Sequence, residues 1–144
     1  MTYVIPVLLF ATLGALAGLH AHWARGGVWP ASDAEQLSWF VIGDPRQPRM
    51  PPPRAIGLVA GALAFAAIDA LALGFQLGDP IDRLTTWTGA GLLAVFAVRG
   101  VVGYLPFWRA IHSGEAFTLL DKRFYSPLCI LIAEGFFILV SGRL

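Results

Sequence analysis

Five ionisable side chains lie inside, or at the end of, long apolar stretches of this 144-residue sequence. Asp69, Arg99 and Glu134 lie inside such stretches, and His20 and His22 lie near the end of the first one. A charge at the centre of a lipid bilayer costs at least about 2.5 to 3.5 kcal/mol, so a charge retained there usually has a partner or a role. These five residues are therefore the first candidates for chemistry.

Arg99 and Glu134 are predicted to form an ion pair. On ideal helices they lie about 10 and 12 Å inside the same membrane boundary, and the stretches that carry them are antiparallel neighbours in sequence. No cation lies at the depth of Asp69, so its carboxyl group is expected to be protonated or hydrogen-bonded to a backbone carbonyl. A proton relay through Asp69 and Glu134 is the alternative role for these two carboxyl groups.

The spacing of His20 and His22 argues against a shared site for the two side chains. Two residues on a regular helix are about 200° apart, so the two imidazoles point in opposite directions. A zinc or copper ion would need further ligands, and the remaining candidates, His112 and Cys129, are scattered along the chain. No metal site is therefore predicted, and one histidine is expected to point into the protein while the other points toward the headgroups.

Four apolar stretches must position these side chains: roughly residues 2–24, 55–77, 86–108 and 126–141. A helix needs about 20 apolar residues to cross a bilayer. Apolar residues make up 57% of the chain and charged residues 13%, with a mean hydropathy of +0.69, which is unlike a soluble domain. The sequence predicts an all-α fold, an integral membrane four-helix bundle forming a single domain over residues 1–144. The first stretch has no cationic leader and is too long for a cleaved signal segment, so it is expected to remain.

Cationic side chains are divided unevenly between the two sides of such a bundle. Arg83 and Arg143 fall on one side. Seven fall on the other, in the first and third loops: Arg25, Arg46, Arg49, Arg54, Arg109, Lys122 and Arg123. Because cationic loops are retained in the cytoplasm, both termini are expected outside. The net charge of +1 and the absence of a basic run argue against nucleic acid as a partner.

The first loop is predicted to lie on the membrane surface. Ser32 and Glu35 have the spacing of a capping box ahead of a short interfacial helix at residues 36–42. Prolines after Gly43 then favour an extended connector to the second span.

Small residues and a helix-start signal complete the pattern. Gly14 with Gly18, and Gly57 with Gly61, form GxxxG pairs, which let helix backbones approach closely. They are expected either to close the bundle or to join two copies of the chain. Ser126 followed by a proline is typical of a helix N-cap and predicts the start of the fourth span.

Three segments together resemble a known family. HAHWARGGVW at residues 20–29 closes the first span, Arg99 precedes a glycine in the third, and FTLLDKRFYSPLC at residues 117–129 leads into the fourth. They resemble the domain-of-unknown-function 3995 group of small four-span bacterial membrane proteins, over nearly the whole chain. The resemblance implies a four-helix protein of the bacterial inner membrane and no known activity. The residues that match the family pattern are His20, Trp23, Gly26, Gly27, Arg99, Asp121, Tyr125, Ser126 and Pro127; at His22 an aromatic would be expected.

The matching residues converge on the cytoplasmic boundary in this threading. The enzyme hypothesis makes His20 a general acid or base, Arg99 the binder of an anionic or carbonyl group and Asp121 the residue that orients one of them, with Tyr125 as a fourth catalytic candidate. The candidate ligand-binding residues are Trp23, His22, Glu134 and Asp69. The expected ligand is an amphiphile, lipid-like or isoprenoid-like, besides the membrane lipids, and no cofactor is implied. The alternatives are a small-solute transporter working as an oligomer, or an accessory subunit in which these residues only brace the helices.

Overall fold

A computed structural model describes residues 3–47 and 49–143, and every regular element in these ranges is helical. The helices are α1 (Val4–Ala24), α2 (Ala34–Val41), α3 (Pro53–Phe75), α4 (Ile81–Val102), α5 (Pro106–Ile111), α6 (Glu115–Leu120) and α7 (Ser126–Ser141). A π-helical turn, Asp121–Tyr125, joins α6 to α7 without a break. Thr2, predicted to begin the first span, lies outside the described residues, as do Met1, Pro48 and Leu144 of the predicted domain.

Four helical segments are long and apolar enough to cross a membrane: α1, α3, α4 and the continuous helix from Glu115 to Ser141. Large apolar side chains cover their outer surfaces, as shown by Leu58 at 76% exposure and Trp87 at 72%. Such surfaces are rare on soluble monomers and are expected on a protein whose solvent is lipid. The all-α, four-span architecture predicted from the sequence is confirmed.

The bundle consists of two antiparallel pairs, α1 against α3 and α4 against α7, with α3 also touching α4. The core lies where the pairs meet, with Leu13, Ala70 and Phe136 wholly buried, and the ring of Phe96 lies 6.3 Å from that of Phe136. Because Tyr3 stacks on Phe75 and Arg143 bonds to Asp82, the first and last described residues lie at the same end. We call this the Tyr3 end and the opposite one the His20 end.

The ends of two spans differ from those expected. The third was predicted at residues 86–108, but α4 ends at Val102, since Gly103 and Pro106 break the helix before the short α5. The fourth was predicted to start at the cap Ser126, but the helix already begins at Glu115 and the Ser126 backbone is helical. Pro127 has no N–H to donate, and it follows directly after a π-helical turn, where the i→i−4 hydrogen-bond pattern is already interrupted.

The interfacial helix of the first loop is present as α2, with a different cap from that predicted. The Asp33 side chain accepts the backbone N–H of Gln36 at 2.8 Å. Ser32 lies one residue earlier and bonds to the Gln36 side chain. The cap is therefore Asp33, and the partner of Ser32 is Gln36 and not Glu35.

The GxxxG pairs do not provide the close packing inside the bundle. A Cβ atom at Gly14, Gly18, Gly57 or Gly61 would meet nothing within 4 Å. Helices instead meet closely at other glycines: a Cβ at Gly74 would lie 2.5 Å from Pro6, one at Gly100 2.6 Å from Ile130, and one at Gly135 2.9 Å from Leu9. The interpretation that the GxxxG pairs close the bundle is therefore not supported, and the joining of two copies stays a prediction.

Candidate functional site

A groove of about 850 Å³ opens at the His20 end, and side chains of all four spans line it. Its walls come from α1, α3, α4, the helix Glu115–Ser141 and the short α2. The polar lining side chains are His20, Trp23, Arg99, Tyr125 and Cys129. The remaining lining residues are apolar: Leu16, Leu19, Trp29, Pro30, Leu37, Phe40, Val41, Val59, Leu63, Phe96, Ala116, Phe117, Leu119, Leu120, Leu128 and Ile132.

Arg99 reaches the groove from the last turn of α4 and is held from two sides. Its Nη2 donates to Asp121 Oδ1 at 2.9 Å, and its Nη1 donates to Ser126 Oγ at 3.4 Å. The guanidinium carbon lies 5.0 Å from the ring centre of Trp108, a distance at which the ring attracts a cation. Charge, hydrogen bonds and the aromatic ring therefore fix this side chain in one place.

Asp121 is the buried member of the charge pair. It is 0% exposed, whereas the Arg99 side chain is 30% exposed. Ser126 Oγ donates to the same Asp121 Oδ1 at 3.1 Å, and within the described chain Asp121 Oδ2 has no hydrogen-bond partner. The predicted partner of Arg99 was Glu134; the structure pairs Arg99 with Asp121 instead, and Glu134 lies exposed on α7 and makes no ion pair within residues 49–143.

The π-helical turn explains how Asp121 and Ser126 come together. The backbone N–H of Ser126 bonds to the Asp121 carbonyl, five residues back, which is the spacing of a π-helix. The wider turn brings residues i and i+5 onto one side of the helix, so the serine hydroxyl reaches the aspartate. π-Helical turns often lie at functional sites.

Gly103 leaves the space that this arrangement needs. A Cβ atom there would lie 1.8 Å from Ser126 Oγ and 2.8 Å from Asp121 Oδ2. Any side chain at position 103 would therefore displace the hydroxyl or the carboxylate.

His20 stands across the groove on the last turns of α1. Its Nδ1 lies 2.8 Å from the Leu16 carbonyl oxygen, so Nδ1 carries the hydrogen and donates. In the neutral ring Nε2 is then an acceptor, and it makes no hydrogen bond within the described residues. The ring of Trp23 lies 4.9 Å from that of His20, and its Nε1 donates to the Trp29 carbonyl at 2.7 Å.

His22 lies outside the groove. It is exposed and packs on Gly27, where a Cβ atom would come within 2.2 Å of its ring. The two histidines are thus on different sides of α1, as their spacing predicts. Among the described residues no group of three or more His, Cys, Asp and Glu side chains is placed to hold a metal ion.

Tyr125 and His112 hold α2 over the groove. Tyr125 Oη donates to the Phe40 carbonyl at 3.1 Å. His112 Nδ1 lies 2.6 Å from the Ile42 carbonyl oxygen. Two side chains from the far half of the chain thus bind the last turn of this short helix.

A backbone bond completes the attachment of α2. The N–H of Gly114 donates to the Gly43 carbonyl at 2.9 Å. This bond and the two side-chain bonds together fix the short helix, and Leu37, Phe40 and Val41 of that helix line the groove.

Asp69 lies in the core, away from the groove lining. It is 5% exposed, and Thr88 on α4 donates to its Oδ1 at 2.5 Å. A hydroxyl group thus takes the place of the backbone carbonyl that was one expectation, the protonated carboxyl group stays a prediction, and within the described residues Oδ2 has no partner. Glu134 is exposed, and no described hydrogen bond links it to Asp69, so the hydrogen bonds give no route for the alternative proton relay.

Several residues of the site had no clear signal in the sequence. The sequence did not indicate three contacts that the structure shows. Arg99 lies over the ring of Trp108, Asp121 lies beside Gly103, and the Tyr125 hydroxyl binds the Phe40 carbonyl. The glycine and proline at 103 and 106 could have marked the end of α4 and thus the depth of Arg99. Nothing in the local sequence indicates that a carbonyl of α2 receives the Tyr125 hydroxyl.

One family model matches the chain, that of the family described as Protein of unknown function (DUF3995), over residues 13–136. The match includes His20, Arg99, Asp121 and Tyr125 and confirms the resemblance seen in the sequence. No curated protein and no solved structure gives a significant match.

Proposed function

The chain belongs to the DUF3995 family of proteins of unknown function, and we propose that it binds an amphiphilic molecule drawn from the bilayer in the groove at its His20 end. The observation that carries this proposal is the groove itself. Its volume of about 850 Å³ falls within the range of small-molecule sites, which are mostly apolar with a few placed polar groups.

The lining supports an amphiphile over a water-soluble solute. Leu16, Leu63 and Phe96 offer an apolar surface in the part of the groove nearest the core. His20 and Arg99 supply an acceptor and a set of donors beside it. A ligand with an apolar body and one polar group would satisfy both parts of this lining.

A chemical step at this site would use His20 and Arg99. His20 Nε2 is free to exchange a proton with a bound group, as a general acid or base does, and Arg99 can polarise an oxygen that it contacts. Asp121 would act as a positioning residue, since it holds the guanidinium and not the ligand. Tyr125 would close the groove through α2 and present its oxygen to the ligand.

The alternative is an accessory subunit or a transporter that works as an oligomer. One observation favours it: the positions of Gly14, Gly18, Gly57 and Gly61 have open space beside them. Small residues on the surfaces of membrane helices allow a second helix to pack closely. In that case the ion pair at Arg99 would serve only the stability of the bundle.

We propose further that the His20 end faces the cytoplasm of a bacterial inner membrane and that both termini face outside. The excess of cationic side chains at the His20 end supports this orientation. Ser113→Cys and Ser141→Cys, each introduced into a Cys129→Ser background, place a thiol at an exposed position of either end. With an impermeant maleimide and intact cells, Ser141→Cys should react and Ser113→Cys only after permeabilisation; the reverse pattern contradicts the proposal.

Ligand binding is tested by mass spectrometry of the small molecules that co-purify with the protein in native nanodiscs. Leu63→Trp fills the groove from α3, and Leu58→Trp adds the same ring to a lipid-facing position of that helix. We expect a specific amphiphile with wild type and Leu58→Trp, and its loss from Leu63→Trp, with thermal unfolding showing that all three are folded. The same small molecules in all three samples would contradict the proposal and favour the accessory role.

A further inference from the structure

We infer that the ligand of the groove is a neutral lipid alcohol, whose hydroxyl group donates to His20 and accepts from Arg99. The inference rests on the proposed function and specifies the chemical class of its ligand. It follows from which hydrogen-bonding atoms of the lining are already used and which remain free.

Two acceptors remain free in the groove. His20 uses Nδ1–H on the Leu16 carbonyl, which leaves the neutral ring with Nε2 as an acceptor. Tyr125 uses its hydroxyl hydrogen on the Phe40 carbonyl, which leaves the lone pairs of Oη. A ligand that satisfies either atom must bring a donor. Ethers, esters and phosphodiesters have acceptors only and therefore leave both atoms unpaired.

Donors remain free on Arg99. A guanidinium has five N–H groups, and the described bonds of Arg99 go to Asp121 and Ser126. A hydroxyl oxygen can accept one of the remaining N–H groups while its hydrogen is donated to an acceptor of the lining. Among simple neutral groups, a hydroxyl does both with one atom.

The charge of the site argues against an anionic headgroup. Arg99 is the one charged side chain among the lining residues that the structure describes, and the wholly buried carboxylate of Asp121 balances it. A phosphate would bring a further negative charge beside a guanidinium that Asp121 already neutralises, so one buried anion would stay uncompensated. A neutral ligand leaves the pair intact.

The apolar residues of the lining also argue against a phospholipid headgroup. Leu16, Leu63 and Ile132 belong to the core or pack against it, and Leu37, Phe40 and Val41 add the apolar side chains of α2 to the lining. A phospholipid headgroup would need water around it, whereas both of these sets of lining residues are apolar. A hydroxyl on an apolar body fits between two apolar walls.

Photo-crosslinking tests this inference with three probes in phosphatidylcholine nanodiscs: hexadecanol with a mid-chain diazirine, its methyl ether, and a phosphatidylmethanol with the same diazirine, which is anionic and has no hydroxyl donor. Labelling of groove peptides is measured by mass spectrometry relative to labelling of the lipid-facing peptide around Trp87, which corrects for partitioning. We expect the alcohol to label the groove about tenfold more than the ether, the effect of one unmade hydrogen bond at a buried site. We expect the phosphatidylmethanol probe to label the outer surface only.

Two histidine variants provide the matched comparison. His20→Phe keeps an aromatic ring and removes the acceptor, so the ratio of alcohol to ether should fall to near one. His22→Phe makes the same change at the exposed position two residues away and should keep the wild-type ratio. Thermal unfolding checks that both variants fold; if His20→Phe does not, the wild-type ratio alone decides the matter.

The outcomes separate the two proposals. Groove labelling by none of the probes overturns both the inference and the proposed function. Equal groove labelling by alcohol and ether, or stronger labelling by phosphatidylmethanol, keeps a lipid-binding groove and overturns the alcohol as its ligand. A tenfold preference that survives in His20→Phe also overturns the assigned recognition.

Discussion

In the ion pair of Arg99 and Asp121, the aspartate needs its partner more than the arginine does. The Asp121 side chain is wholly buried, whereas 30% of the Arg99 side chain remains accessible. A buried charge that loses its partner cannot recover hydration, while an accessible guanidinium can turn toward polar surroundings. Removing the arginine should therefore harm the fold more than neutralising the aspartate.

We expect Arg99→Met to lower the free energy of unfolding by about 3 to 5 kcal/mol, the typical cost of leaving one charge of a buried pair unpaired. Asp121→Asn keeps an acceptor for the guanidinium and should cost about 1 to 3 kcal/mol. Reversible unfolding in mixed detergent micelles measures both. The double variant Arg99→Met with Asp121→Asn should be more stable than Arg99→Met alone, because no buried charge remains.

Glu134→Gln is the matched control for the carboxylate. It neutralises an exposed side chain on the same continuous helix, and exposed substitutions usually change stability by less than about 0.5 kcal/mol. If Glu134→Gln cost as much as Asp121→Asn, the assignment of Asp121 as the partner of Arg99 would be wrong.

At the scale of elements, the π-helical turn and α2 depend on one side chain. Tyr125 is the last residue of that turn, and its hydroxyl bonds to the Phe40 carbonyl of α2. The helix that holds Asp121 is thereby connected to the helix that covers the groove. A change in the π-helical turn is therefore expected to alter the stability of α2, and the reverse.

We expect Tyr125→Phe to loosen α2 while the four spans stay folded. Loss of the bond to Phe40 should cost about 1 kcal/mol, so backbone hydrogen exchange in residues 37–42 should become about fivefold faster. Tyr104→Phe is the control, since its hydroxyl donates to the Lys122 carbonyl and does not touch α2. Equal acceleration in both variants, or none in Tyr125→Phe, contradicts this role.

The partner of Arg99 shows why the sequence could predict a site but not its geometry. The cost of charge in lipid predicts that Arg99 has a partner. The serine and proline at 126 and 127 are typical of a helix start, which placed Asp121 outside the fourth span and left Glu134 as the anion at a suitable depth. The structure continues that helix through the proline, and local propensity gives no signal for a π-helical turn.

At the scale of the whole molecule, an ion pair at the Tyr3 end fastens three segments. Arg143 bonds to Asp82 at 2.9 Å and to the Leu73 carbonyl, which joins the end of the chain to α4 and α3. Asp82 also accepts the backbone N–H groups of Leu77 and Gly78. The groove lies at the opposite end, so this fastening can be tested without touching it.

We expect Arg143→Met to lower the free energy of unfolding by about 1 to 3 kcal/mol, because its side chain is 11% exposed and several acceptors lose their donor. Arg83→Met removes the same charge from an exposed pair with Asp79, with side chains 74% and 70% exposed, and should cost little. Thermal unfolding in detergent compares them. Equal losses of stability in the two variants would mean that net charge governs stability, and not the bonds of Arg143 to Asp82 and Leu73.

The four-span architecture was the most predictable property of the molecule. Length and hydropathy determine which helices can cross a bilayer, and the first two spans follow from them within a few residues. Helix contacts were harder to predict because glycine spacing alone does not say which face meets a neighbour. Gly14 and Gly18 fit the GxxxG pattern but face open space, whereas the isolated Gly74 and Gly135 receive neighbouring side chains.

Gly103, which has no side chain, restricts how the sequence of this site can change during evolution. Because a Cβ atom there would overlap Ser126 Oγ and approach Asp121 Oδ2, a larger residue at position 103 requires a change at the serine or the aspartate. In an alignment of homologous chains, these three columns should covary. A homologue with a larger residue at 103 and both partners retained would have needed a compensating shift of the backbone.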